Sequence, residues 1–157
     1  MRYLRNGVLA EDAYELVTDD AAALPAAAIV PLPRWQVEAA AGRVHGLLVR
    51  PDDARADAVA AALRAPLVAI EFASFNDGRG YSIARQFREA GYTGDLRALG
   101  DVLRDQAFFL LRCGFTTLVP AAHVDVAEFV RGLADFTTPY QPAADGRPTV
   151  LALRRRG

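Results

Sequence analysis

A chain of 157 residues, 52% hydrophobic and 24% charged, suits one domain with its own core and is too apolar for disorder. A net charge of −1 excludes a global field drawing it to nucleic acid or anionic lipid, and no run of 18 apolar residues offers a membrane span. All 18 basic residues are Arg, which removes Schiff-base and P-loop lysine chemistry, and the single Cys113 removes an intramolecular disulfide, a CxxC pair and a thiolate zinc cage.

The first twenty residues read as a hairpin. Arg2-Tyr3-Leu4 and Val8-Leu9 flank Asn6-Gly7, the pair that best tolerates two positive φ values. The opening Met1-Arg2-Tyr3-Leu4-Arg5 lacks the apolar run of a secretory signal, so a reducing cytoplasm is the expected compartment. After a polar edge, Ala28-Ile29-Val30 starts a strand that Pro31 and Pro33 stop. Val44–Val49 is the next strand, followed by a helix over Asp57–Leu63 with Val59, Ala62 and Leu63 inward. Leu67–Phe72 precedes a helix from Ser82, with Ile83, Ala84 and Phe87 inward and Gly91 as its end. Leu96–Leu99 leads through Gly100-Asp101 to a nearly all-apolar helix, Val102–Arg112, ended by Gly114. Phe115–Val119 is a further strand. A helix opens at Asp125, with Glu128 as capping partner and Val126, Phe129, Val130 and Leu133 inward, and Thr149–Leu153 reads as a last strand.

This alternation predicts a single α/β domain over 1–157: hairpin 1–20, βα core 28–140, and a tail or strand over 141–157. About four βα units and a mostly parallel sheet follow, either an open doubly wound sheet or a half-barrel. Ligands of such sheets bind beyond the carboxyl ends of the strands.

Two polar loops fall at that edge. In Asn76-Asp77-Gly78-Arg79-Gly80-Tyr81-Ser82, the glycines permit close backbone approach, Ser82 is placed to cap a helix, and Arg79 offers a planar fork to an oxyanion. Asn-Asp-Gly is equally an ordinary turn. The second loop carries Asp101, Arg104, Asp105 and Gln106. Asp101 is most simply an N-cap, whereas Asp105 and Arg112 interrupt an apolar helix. Asp77, Asp101 and Asp105 are the candidate acid–base groups, with Arg79, Arg97 and Arg104 as clamps. Glu71 and Arg97 sit inside apparently buried strands, where neighbouring positions would let them pair, structurally or functionally. His45 and His123 lack partners at metal spacing, so no metal site is expected. Cys113 reads as a buried core thiol.

The run Phe75-Asn76-Asp77-Gly78-Arg79-Gly80-Tyr81-Ser82, then Ala84-Arg85, Arg88, Gly91-Tyr92, Gly94, Leu96-Arg97-Ala98, Gly100-Asp101-Val102, Asp105-Gln106 and Arg112-Cys113-Gly114-Phe115, resembles the signature of the bacterial domain-of-unknown-function family 934. The resemblance extends to Pro31-Leu32, Trp35 and the hairpin around Gly7, nearly the whole chain. Members are labelled oxidoreductases of sulfite reduction because their genes lie beside sulfite reductase genes. The resemblance therefore implies an oxidoreductase or accessory component of sulfur assimilation, partnered by sulfite reductase or another protein of that pathway. No cofactor is evident, and redox chemistry would need a bound flavin or a partner's centre. The alternatives are an enzyme on a small anionic substrate and a non-catalytic interaction module, as monomer or homodimer.

Overall fold

The computed structural model describes residues 1–18 and 20–134. The expected strand Thr149–Leu153 and Leu133's side chain lie outside them.

The hairpin forms as expected. β1 (Arg2–Arg5) and β2 (Val8–Glu11) pair in antiparallel register around Asn6 and Gly7, at φ 53° and 77°. A short β3 (Glu15–Leu16) was not foreseen, because its two residues carry no pattern of their own. β4 (Ala28–Pro31) runs directly into α1 (Leu32–Ala40). Here the expectation needs correction, since the prolines start a helix as well as ending a strand. Pro33 falls in the first turn of α1, where a missing N–H costs nothing.

β5 (Gly46–Val49) starts later than predicted and leaves Val44 70% exposed. α2 (Arg55–Ala62) buries Ala58, Ala61 and Ala62 rather than Leu63. In a segment this rich in alanine, hydrophobic periodicity barely distinguishes one face from another. β6 (Leu67–Phe72), α3 (Arg79–Glu89) and β7 (Asp95–Gly100) follow, and Gly91 at φ 96° ends α3. A 3-10 turn (Arg104–Gln106) precedes α4 (Ala107–Arg112), so the helix expected from Val102 begins later. β8 (Thr117–Leu118) and α5 (Val126–Ala134) complete the described elements, and the Asp125 carboxylate caps α5 by accepting from the Ala127 N–H at 2.9 Å.

Among the described residues the sheet has eight strands in the order β2-β1-β8-β7-β6-β5-β4-β3. β3 to β8 are parallel and consecutive, so no reversal of strand order marks a switch point. The result is a strongly curled half-barrel, one of the two predicted architectures. Among the described strands the two outermost, β2 and β3, are joined by residues 12–14 alone. Four Cα–Cα steps from Glu11 to Glu15 span at most about 15 Å, so the chain itself draws the edges together.

Alternate residues of the strands face the helices. Val30, Leu47, Val49, Val68, Ile70, Phe72, Leu96 and Ala98 form that main core with Trp35, Ile83, Phe87 and Phe129. The opposite face carries Ile29, Leu48, Leu67, Ala69 and Leu99. Arg97, on β7 between Asp95 and Leu99, belongs to this inner face and is fully buried.

Candidate functional site

The parallel strands deliver the loops after β5, β6 and β7 to one edge, so the two loops singled out in the sequence do meet. Their union is centred on Phe75. Its N–H donates to Asp101 Oδ2 at 2.9 Å, and its carbonyl accepts from Gln106 Nε2 at 2.9 Å. The Asp101 N–H donates to the Phe72 carbonyl at 2.7 Å, and Gln106 Oε1 takes the Leu103 N–H at 2.9 Å. The Phe75 ring, in contrast, stands 51% exposed. Asp101 therefore ties a neighbouring loop and does not cap a helix of its own.

Gly100 makes the tie possible. It sits at φ 101°, and a Cβ there would lie 2.4 Å from the Phe72 carbonyl oxygen. Gly80 has a different reason: an added Cβ would come within 2.5 Å of the Phe72 ring. Gly78 has ordinary backbone angles and open space around it. Of the two loop glycines, only Gly80 is required, and for packing rather than positive φ.

Arg79 begins α3, three residues before the expected start, which leaves Ser82 inside the helix and exposed. Asp77 prepares the turn by accepting the Arg79 backbone N–H at 3.1 Å. The same carboxylate takes the Arg79 guanidinium at 2.8 Å, and Asp52 holds its other terminal nitrogen at 2.5 Å. These hydrogen bonds, from side chain and backbone of Arg79, hold the Asp77 carboxyl below its ordinary range. Thus Arg79 is already occupied by two carboxylates. Asn76 is exposed and its N–H reaches Ser74 Oγ at 3.4 Å, while Arg104 and Asp105 are also exposed. Together, loops 50–54, 71–79 and 100–105 carry six carboxylates against three guanidiniums.

Tyr81 packs edge-on against Phe72, ring centroids 5.4 Å apart. Burial, then the nearby charges of Cys113 and Asp105, push its hydroxyl up, against a hydrogen bond with Gln106. Cys113 is partly exposed at the end of α4, not the fully buried thiol expected.

Glu71 and Arg97 do not pair. Glu71 is opposite Leu99 in the register and meets Arg50 at 3.3 Å. Arg97 points toward the amino end of the sheet, where its Nη2 reaches Asp12 at 2.7 Å and Asp95 at 3.1 Å. Its Nε donates to the Thr117 hydroxyl at 3.2 Å, and the guanidinium lies 4.4 Å from the Tyr3 ring centroid. Burial opposes ionisation of Asp12, but the Arg97 hydrogen bond and charge outweigh it and hold the carboxyl below its ordinary value. Asp95 also accepts from the hydroxyls of Thr116 at 2.5 Å and Thr117 at 2.9 Å, and pairs with Arg5 at 3.0 Å. Arg97 is thus far from the carboxyl-edge loops, and the expected convergence of Arg79, Arg97 and Arg104 does not occur.

A cavity of about 540 Å³ opens beside this network at the amino edge, between Arg5, Asp95, Phe108, Arg112, Phe115 and Thr116. The sequence does not point to it, because ligands of a parallel sheet are expected at the carboxyl edge and Asp95 and Thr116 match no motif. Among the described residues, no group of three or more His, Cys, Asp or Glu could hold a metal, and no helix is long and apolar enough to cross a membrane.

The sequence model of a bacterial protein family of unknown function (DUF934) matches residues 46–151. No curated protein matches the chain, and no solved structure does.

Proposed function

The chain belongs to that DUF934 family, and from this premise we propose that it is a non-catalytic accessory protein of assimilatory sulfite reduction, docking on sulfite reductase through its carboxyl-edge loops. The pathway comes from the genomic setting implied by the resemblance. The docking role rests on one observation: both polar groups of the Phe75 peptide are held by side chains of the next loop, while the ring projects into solvent.

A fixed backbone under an exposed aromatic ring is what a binding anchor requires. The ring brings apolar area with few rotatable bonds, and a loop ordered beforehand loses little entropy on association. The acidic surplus around it favours a partner surface with an apolar socket and a basic rim. Enzymatic use of Asp77 and Asp101 has less support, because one is bound by Arg79 and the other by the Phe75 N–H.

Calorimetric titration of purified sulfite reductase with the protein tests this. Wild type should bind saturably, and Phe75→Ala should weaken binding at least tenfold without lowering Tm, as expected for an interface anchor. Absence of binding, or equal affinity for both forms, would overturn it.

A further inference from the structure

His45, immediately before β5, is held by its main chain: its carbonyl accepts from Trp35 Nε1 at 3.0 Å. Its ring is 9% exposed, yet neither Nδ1 nor Nε2 has a hydrogen-bond partner. Buried polar atoms are normally satisfied, so the unpaired imidazole is an exception in this fold, and its enclosed nitrogens report on any rearrangement of the groups packed against it. Glu38 Oε2 stands 3.6 Å from His45 Nε2.

His45 also lines a second amino-edge cavity, of about 340 Å³, with Glu38, Arg34 and Arg43 and a lip formed by 24–26. Glu38 is buried and already neutralised. Its Oε1 takes Arg34 Nε at 3.0 Å, and its Oε2 takes Arg43 Nε. The Arg43 hydrogen bond, opposed by burial and aided by Arg34, pulls the Glu38 carboxyl down to about 2. Each arginine uses only its Nε, and the terminal nitrogens of both make no hydrogen bond among the described residues. Two guanidiniums against one carboxylate leave the cluster with a positive surplus. The volume falls at the small end of ligand pockets.

We propose that this cavity binds a small oxyanion, held between the terminal nitrogens of Arg34 and Arg43, with the buried His45 ring packed behind them. The forked guanidinium geometry suits an anion with two or more oxygens, whether an inorganic ion or the carboxylate of a small metabolite. The site lies at the edge opposite Phe75 and stands independently of the docking role.

Calorimetry with phosphate, sulfate and acetate, at ionic strength matched with chloride, separates the inorganic from the organic source. One of the three should bind saturably to wild type, and Arg43→Gln should weaken it at least tenfold. Arg85→Gln, on the exposed face of α3, should not change it. Because a His45 variant could unfold, the ring nitrogen resonances of native His45 should be followed in the same titration, and they should shift to saturation. No saturable binding of any of the three, wild-type affinity in Arg43→Gln, or unmoved His45 resonances would each overturn the proposal.

Discussion

The two ends of the sheet handle charge in opposite ways. At the carboxyl edge, Arg79 is exposed and shared between Asp77 and Asp52, and Asp101 is used to hold a loop. At the amino end, Arg97 is buried against Asp12 and Asp95 and ties the N-terminal segment across the inner face. Solvent-exposed ion pairs contribute little to stability, whereas a buried charge stripped of its partner is costly. The sheet is therefore anchored at one end, and the other is left to hold loops for recognition.

The largest effect should come from Arg97→Met. It leaves Asp12 and Asp95 without their buried cation and should cost about 3–5 kcal/mol in urea unfolding. Arg79→Gln at the other edge should leave the urea midpoint close to that of wild type, because its ion pairs are exposed. Equal losses would remove the contrast between the two ends. Gly80→Ala comes next, at about 1–3 kcal/mol, because its Cβ must displace the Phe72 ring, while Gly78→Ala should stay within about 0.5 kcal/mol of wild type.

Acid stability sharpens the comparison further. Glu38 is depressed from 4.5 to about 2, so the folded state holds its charged form more strongly than the unfolded state does. Its contribution is complete above pH 4.5 and disappears as pH falls toward 2. Glu38→Gln should be less stable than wild type at neutral pH and flatten the fall of Tm through that window. An unchanged acid limb would contradict this.

Much of the fold was legible from the alternation of apolar runs with helical stretches. Even Asn6-Gly7 and Asp125 behave as local rules require. The misses have particular causes. Pro31 and Pro33 look like stops in the sequence, although proline suits a first helical turn equally well. The alanines of α2 hid its buried face. At the candidate site, sequence placed the loops around Asp77 and Asp101 at one edge. It could not see that Asp101 and Gln106 would both converge on the Phe75 peptide, since main-chain partners leave no trace in side-chain patterns. Arg97 was recognised as a charge inside a strand, but Asp12, 85 positions earlier, becomes its partner only through the curl of the sheet.

Docking through Phe75 requires that its loop be ordered before any partner arrives. Amide hydrogen exchange read by NMR tests this most directly. The Phe75 N–H should exchange far more slowly than an unstructured amide, and Asp101→Ala should restore fast exchange and weaken sulfite reductase binding while leaving the ring in place. A Phe75 amide exchanging at the unstructured rate in the wild-type protein would contradict it.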